Sequence, residues 1–185
     1  DHAESTVISP TVFIPVAEKN GTIIPIGNWV IEESIRQCAE WHEKYDNNLI
    51  MSINVSAIQY MKADFVENLI SVLEKYQVNP KYIELEVTES VLINGFDNVA
   101  SKLVQLKEYG VRISLDDFGT GYSSLAYLKK LPIDTLKIDK SFIDTLLHDY
   151  PTKVITESII KMVKTLGYEA VAEGVEHEKQ YNYLQ

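Results

Sequence analysis

Two adjacent carboxylates, Asp116 and Asp117, end the apolar run RISLDD and are followed at once by Gly119 and Gly121. Asp and Gly are ordinary turn residues, so a surface turn accounts for the stretch taken alone. It has company. Glu86 lies in ELEVTE, Asn54 in SINVS, Lys137 in TLKID and Glu173 in VAEGVE, each inside or at the end of a similar apolar run. If those ends meet, four carboxylates share one small volume, and two like charges about 4 Å apart repel by about 4 kcal/mol at an effective dielectric of 20. Lys137 offers a single compensating charge, which makes bound divalent metal the economical remedy. His2, His42, His148, His177 and the single cysteine, Cys38, fall outside these runs. The available ligands are therefore oxygens, which favour Mg²⁺ or Mn²⁺ over zinc or copper. Neighbouring aspartates can serve two ions, and two ions about 3.5 to 4 Å apart are a recurring device for phosphodiester hydrolysis. The Gly119-Thr120-Gly121 turn then reads as a mobile loop over the site, because glycine lets the backbone approach a ligand without a Cβ penalty. Capping of the next helix by Thr120, Ser123 or Ser124 is compatible with that reading.

Something must position these residues. Five runs read as strands: LIMSINVS (49–56), YIELEVTE (82–89), VRISLDD (111–117), DTLKIDK (134–140) and EAVAEGV (169–175). Between them, DFVENLISVLEKY, NVASKLVQLKEYG, SSLAYLKKL and VITESIIKMVKTLG repeat apolar residues at three- and four-residue spacing, as amphipathic helices do. Two of them close on Gly110 and Gly167, a common helix C-terminal residue. Strands alternating with helices predict a parallel α/β sheet.

Side chains alternate faces along a strand. Ile53 and Val55, Ile83, Leu85 and Val87, Ile113 and Leu115, Leu136 and Ile138 share one parity, suited to packing under helices. The other parity holds Ser52 and Asn54, Glu84 and Glu86, Ser114 and Asp116, Lys137 and Asp139, and Glu173. A polar face on every strand is wrong for an open doubly wound sheet, whose strands are apolar on both faces. It suits a barrel with a site inside, where functional residues project from the C-terminal strand ends. Glu84 and Ser114, deeper in such a barrel, are expected to make structural hydrogen bonds, and Asp139 to pair with Lys137 as a buried ion pair.

Composition narrows the class. A chain of 185 residues with 45% hydrophobic and 24% charged residues can bury one sizeable core. The formal net charge of -10 argues against a broad basic face for a nucleic-acid polymer. No run approaches the roughly 18 apolar residues of a membrane helix, and no basic-then-apolar leader opens the chain. A lone Cys38 in a helix-like segment reads as a buried small hydrophobe in a reducing compartment. The cytoplasm is the expected location, whether of a free protein or of the cytoplasmic part of a membrane-tethered one.

The segments FIPVAEKNGTIIPIGNWV, INVSAIQY, ELEVTES, ISLDDFGTGYSSLAYLKKLPIDTLKIDKSFI and VAEGVE together resemble the EAL-domain family of bacterial cyclic di-GMP phosphodiesterases, in the family's order and over nearly the whole chain. The resemblance implies a modified TIM (β/α)8 barrel and hydrolysis of cyclic di-GMP to linear pGpG with two Mg²⁺ or Mn²⁺ ions. It implies metal ligation by Asn54, Glu86, Asp116 and Asp117, with Asp116 bridging both ions. Lys137 would position the water and the scissile phosphate, and Glu173 would hold or deprotonate that water. Glu89 would hold the loop after Asp117, which includes Gly119, Thr120 and Gly121, and Glu176 would support its own strand end. That loop and the following helix would form a homodimer interface, and a sensory or diguanylate cyclase (GGDEF) domain would be attached. Residues 1–185 are then expected to be one EAL-type domain truncated at both ends. The Glu-Ala-Leu segment would lie before Asp1 and the last strand after Gln185, leaving about five recognisable strands of eight. Such a piece alone would be inactive.

Two other readings fit part of the pattern. An EAL-like receptor would hold cyclic di-GMP, or a protein partner, without cleaving it. A metal-dependent barrel lyase would use Lys137 as a base beside a substrate carboxylate.

Overall fold

The computed structural model describes residues 8–45, 48–89, 96–119 and 128–185. Helices α1 (Pro10–Asn20) and α2 (Ile23–Lys44) precede strand β1 (Met51–Asn54), the single turn α3 (Ala57–Tyr60) and helix α4 (Phe65–Tyr76). A 3₁₀ turn (Pro80–Tyr82) leads into β2 (Ile83–Thr88), α5 (Phe96–Tyr109) and β3 (Arg112–Phe118). Then come β4 (Thr135–Ile138), α6 (Lys140–Thr145), α7 (Tyr150–Thr165), β5 (Glu169–Ala172) and α8 (Glu178–Leu184). All five expected strands are present. Most of the expected helix SSLAYLKKL lies outside the described residues.

The strands form one parallel sheet in the order β1-β2-β3-β4-β5. Sequential order means that every crossover steps the same way, as in a TIM-like barrel; a doubly wound sheet reverses direction partway. The alternation explains the layering. Ile53, Val55, Ile83, Leu85, Val87, Ile113, Leu115, Leu136 and Ile138 are all buried in one core with Leu69 and Leu73 of α4, Leu103 and Leu106 of α5, and Val163 of α7. Burying each such side chain stabilises the fold by about 1.5–3 kcal/mol.

Local chemistry sets the helix ends near the sheet. Ser56 caps α3: its Oγ accepts from the Ile58 N–H at 3.3 Å, while Gln59 Oε1 accepts from the Ser56 N–H at 3.2 Å. The same Ser56 Oγ donates to Glu18 Oε1 at 2.6 Å, which ties α1 to the end of β1. Asp139 caps α6 by accepting from the Ser141 N–H at 2.9 Å, and Asp149 caps α7 through the Thr152 N–H at 2.9 Å. Each bond satisfies a donor that the first helical turn leaves unpaired.

On the polar face the side chains fall into two tiers along the strands. The lower tier, toward the strand N-termini, is Ser52, Glu84, Arg112, Thr135 and Glu169. Glu84 accepts from Ser52 Oγ at 3.1 Å, from Thr135 Oγ1 at 3.0 Å and from Arg112 Nε at 3.4 Å. Arg112 also donates to Glu169 at 3.3 Å, so the network crosses all five strands. The structural role expected of Glu84 is thus observed. Ser114 behaves differently: its hydroxyl is buried and finds no partner among the described residues.

Candidate active site

The upper tier stands at the C-terminal strand ends. Asn54 is exposed and pairs in register with Glu86; Glu86 is buried, as is Asp116. Lys137 Nζ reaches three carboxylates from three strands or their ends: Glu173 at 2.6 Å, Glu86 at 3.1 Å and Asp116 at 3.2 Å. The ion pair expected between Asp139 and Lys137 does not form. Asp139 turns to the start of α6 as its cap, because the Ser141 N–H and hydroxyl offer its carboxylate fixed donors.

Asp116 and Asp117 are consecutive, and in a regular strand they would point to opposite faces. Here the β3–β4 ladder shifts register: Leu115 pairs with Leu136 but Phe118 pairs with Ile138, three steps against two. This is a bulge, a device that re-aims side chains next to a site. Asp117 occupies the left-handed region at φ 57°, and its N–H bonds to Asp116 Oδ1 at 3.0 Å. As a result, carboxylate oxygens of Asp116, Asp117 and Glu173 all lie within 4.8 Å of one another. Asp117 is exposed and Glu173 half-buried, so the cluster opens outward. Glu86 is joined to it through Lys137.

The charges disturb one another. Burial, with the neighbouring charges of Asp116 and Glu173, raises the Glu86 pKa despite its bond to Lys137. Burial also raises the Asp117 carboxyl, aided by the charges of Asp116, Asp139 and Glu173. For Lys137, burial alone would favour the neutral amine; hydrogen bonds to Glu173 and Glu86 and the charge of Asp116 outweigh it, and the pKa rises. The ammonium is therefore held charged. Crowded oxygen donors and raised carboxyl pKa values are what a hard dication would relieve, so this donor set fits Mg²⁺ or Mn²⁺.

The supporting residues divide. Glu89 is buried and accepts from the Gly119 N–H at 3.3 Å. Thr120 and Gly121 lie outside the described residues. Glu176 sits on the surface and bonds Lys140 Nζ at 2.6 Å, reaching its strand end through that lysine. Sequence reasoning did not nominate Arg112, although it shares parity with Ser114 and Asp116 and one further step down β3 reaches it. Cys38 is buried, and burial raises its thiol pKa, in keeping with a core role.

The model of the EAL domain family matches residues 1–185. The chain belongs to the EAL domain family. Among curated relatives, the Pseudomonas aeruginosa protein named bifunctional diguanylate cyclase/cyclic di-GMP phosphodiesterase MucR is 42% identical over 184 residues, covering 100% of this chain and 27% of the relative. The signaling protein YkoW of Bacillus subtilis is 46% identical over 176 residues, covering 95% of this chain and 22% of the relative. The Escherichia coli cyclic di-GMP phosphodiesterase PdeR is 36% identical over 181 residues, with coverages of 98% and 27%. The chain spans about a quarter of the length of these curated relatives. Among solved structures, the MucR phosphodiesterase of Pseudomonas aeruginosa in complex with c-di-GMP superposes with a TM-score of 0.93 at 42% identity, covering 99% of this chain and 74% of that one. The FimX EAL domain from the same organism, at 19% identity, gives a TM-score of 0.89 over 98% of this chain and 72% of that one, a likeness of fold. The architecture is accordingly an α/β EAL domain fold, its five-stranded parallel sheet consistent with a TIM-like barrel. No helix among the described residues is long and apolar enough to cross a membrane.

Proposed function

We propose that this chain carries a metal-dependent phosphodiesterase site that opens cyclic di-GMP to linear pGpG. One observation carries the reading: carboxylates of Asp116, Asp117 and Glu173 converge within 4.8 Å of one another, and the Lys137 ammonium touches Asp116 and Glu173 of that cluster together with Glu86. Family membership and relatives named as cyclic di-GMP phosphodiesterases support the substrate.

Asn54, Glu86, Asp116 and Asp117 would hold the Mg²⁺ or Mn²⁺ ions. When bound, the ions would lower the pKa of a water and offset charge on the phosphate oxygens. Glu173, half-buried on the outward side of the cluster, holds the attacking water and accepts its proton. Lys137 fixes the Glu173 carboxylate by their 2.6 Å bond and presents its charge to the phosphate as negative charge builds there. The water oxygen joins phosphorus, one phosphorus–oxygen ester bond breaks, and the departing ribose oxygen takes up a proton from solvent while Glu173 returns to solvent the proton it accepted from the water. Glu89 keeps the turn after Asp117 in place through Gly119. Residues 1–185 make up most of one such domain in a larger cytoplasmic signalling protein with a sensory or GGDEF domain attached, and the segment after Asp117 serves homodimer contact.

Chromatographic assay of pGpG in Mg²⁺ or Mn²⁺ tests the reading on the whole protein. Turnover is expected, with loss in excess chelator and recovery on adding metal. Undiminished turnover in chelator overturns it. Tight cyclic di-GMP binding without pGpG over hours selects a receptor instead.

A further inference from the structure

Helix α6 begins three residues after Lys137, and its first turn touches both corners that carry the carboxylate cluster. On one side the Phe142 ring packs on Gly119, where an added Cβ would come within 2.6 Å of ring Cε2 and 2.7 Å of Cζ. Gly119 has φ 100°, lies two residues beyond Asp117, and gives its N–H to Glu89. On the other side the Lys140 stem packs on Gly174, with an added Cβ only 2.4 Å from Cγ and 2.9 Å from Cβ of that lysine. Gly174 has φ 69° and directly follows Glu173. Both seats need glycine twice over, for the left-handed backbone and for the closeness of the neighbour.

The helix that delivers these two side chains is itself fixed. Asp139 caps it, Ile143 is fully buried, and the Ile143 carbonyl accepts from Gln180 Nε2 of α8 at 3.0 Å. The Lys140 ammonium is held by Glu176 at 2.6 Å and by Asp144 at 3.3 Å, which keeps its stem over Gly174. The ladder holds the first corner less firmly, since its register shifts beside Asp117; at the second corner β5 ends at Ala172 and the last ladder tie is the Glu173 N–H to the Ile138 carbonyl at 3.0 Å, so Gly174 lies beyond it.

We propose that Phe142 and Lys140 are positioning residues: the two arms of a brace that sets the spacing between the Asp116–Asp117 corner and the Glu173 corner. Its catalytic consequence rests on the phosphodiesterase reading above; its consequence for backbone order rests on packing alone. Residues that orient metal ligands from behind typically change affinity or activity by about 10- to 100-fold when removed.

The test uses the whole protein with Phe142→Ala, Phe142→Leu, Lys140→Ala and Lys140→Arg, and reads three quantities. These are amide hydrogen exchange at Gly119 and Gly174, Mn²⁺ affinity by electron paramagnetic resonance, and kcat and KM for cyclic di-GMP. Phe142→Ala is expected to speed exchange at Gly119 about tenfold, weaken Mn²⁺ binding about tenfold and lower kcat about tenfold, with KM within about twofold. Phe142→Leu, which refills the seat with an apolar side chain, should recover most of each loss. Lys140→Ala should speed exchange at Gly174, and Lys140→Arg should restore protection. Wild-type exchange at Gly119 in Phe142→Ala, or Ala and Leu variants that lose function equally, overturns the first arm. Should Phe142→Ala not fold, Phe142→Leu and the surface change Lys140→Ala decide, and unchanged exchange at Gly119 and Gly174 in both overturns the brace. A wild type that binds Mn²⁺ without forming pGpG ends the phosphodiesterase reading, while exchange and Mn²⁺ affinity still decide this one.

Discussion

One step down the strands from Glu86 and Lys137, Glu84 and Arg112 occupy the same polar face with the same kinds of charge. In that lower tier one guanidinium stands between two carboxylates, and Ser52 and Thr135 hydroxyls fill the remaining valences of Glu84. In the upper tier Lys137 alone touches three carboxylates, and Asp117 adds a fourth to the same crowd. Among the described residues the lower tier is close to self-sufficient, whereas the upper tier sets four carboxylates against the single ammonium of Lys137. Buried polar groups that satisfy one another fix a structure, whereas surplus like charge held in place by a fold marks a site for something positive. The difference teaches where to look for chemistry. An ionisable residue facing a barrel interior is a weak signal, and an unbalanced set of them is a strong one.

Substitutions should separate the tiers. The largest effect is expected from Glu173→Gln, which keeps the size of the side chain but cannot accept a proton: kcat should fall about a thousandfold, read as pGpG formed per unit time. A fall below tenfold would mean that the upper tier does not use Glu173 as proposed. Next, Lys137→Met should lower turnover about a hundredfold, since a fixed charge aimed at the phosphate is lost. Its Mn²⁺ affinity should not weaken, because the lost ammonium competes with metal for the same carboxylates, and titration monitored by electron paramagnetic resonance checks this. Weaker Mn²⁺ binding would show that Lys137 serves mainly to hold the ligands in place.

Smaller changes belong below. Glu84→Ala removes the acceptor of three hydrogen bonds and should cost about 2 kcal/mol of stability in urea unfolding. Mn²⁺ affinity should stay within roughly twofold of wild type, and a tenfold drop would erase the distinction between tiers. The smallest effect is expected at Asp139, beside the upper tier but turned away from it. Asp139→Ala should cost about 1 kcal/mol through the lost cap. The Ser141 side-chain and backbone bonds hold the Asp139 pKa below its ordinary 3.8 in the folded protein. A depressed folded pKa gives stability that is fully present above the unfolded value and is lost as pH falls through the folded one. The stability gap between wild type and Asp139→Ala should thus hold above the ordinary aspartate pKa and narrow as pH falls below it, measured by urea unfolding at a series of pH values. A gap that widens as pH falls would reverse the assignment.

Much of the fold was legible beforehand, for a simple physical reason. Period-two alternation of apolar and polar residues in Ile83-Glu84-Leu85-Glu86-Val87 and three- to four-residue spacing in α4 are local properties, and the strand and the helix they imply form within a few residues of the expected ends, with both faces of that strand buried. The strand expected over 49–56 shrank to Met51–Asn54, because Ser56 left the ladder to cap α3. The site was legible less evenly. Glu86, Asp116, Lys137 and Glu173 come into contact because their positions on the strands share one parity, which Asn54 shares as the register partner of Glu86. Arg112 escaped notice because an arginine opening an apolar run looks like a solvated end, and only the assembled sheet, which brings Glu84 of β2 and Glu169 of β5 to it, turns it into the cation of the lower tier. The expected Asp139–Lys137 pair failed because parity cannot see that a strand has ended: beyond Ile138 the chain enters α6, and the cap wins the carboxylate.

What the sequence determined by itself was the alternation of strands and helices, the polar face and the identity of the groups upon it, since each depends on neighbours close along the chain. What only the tertiary structure decided was which of those groups balance one another. The bulge at Asp116 and Asp117 puts consecutive side chains into one cluster. The brace of Phe142 and Lys140 reaches two glycines from a third segment. The three-way hold on Lys137 joins β2, β3 and the end of β5. All three depend on distances between residues far apart in sequence, and those distances exist only once the sheet has closed its ladder.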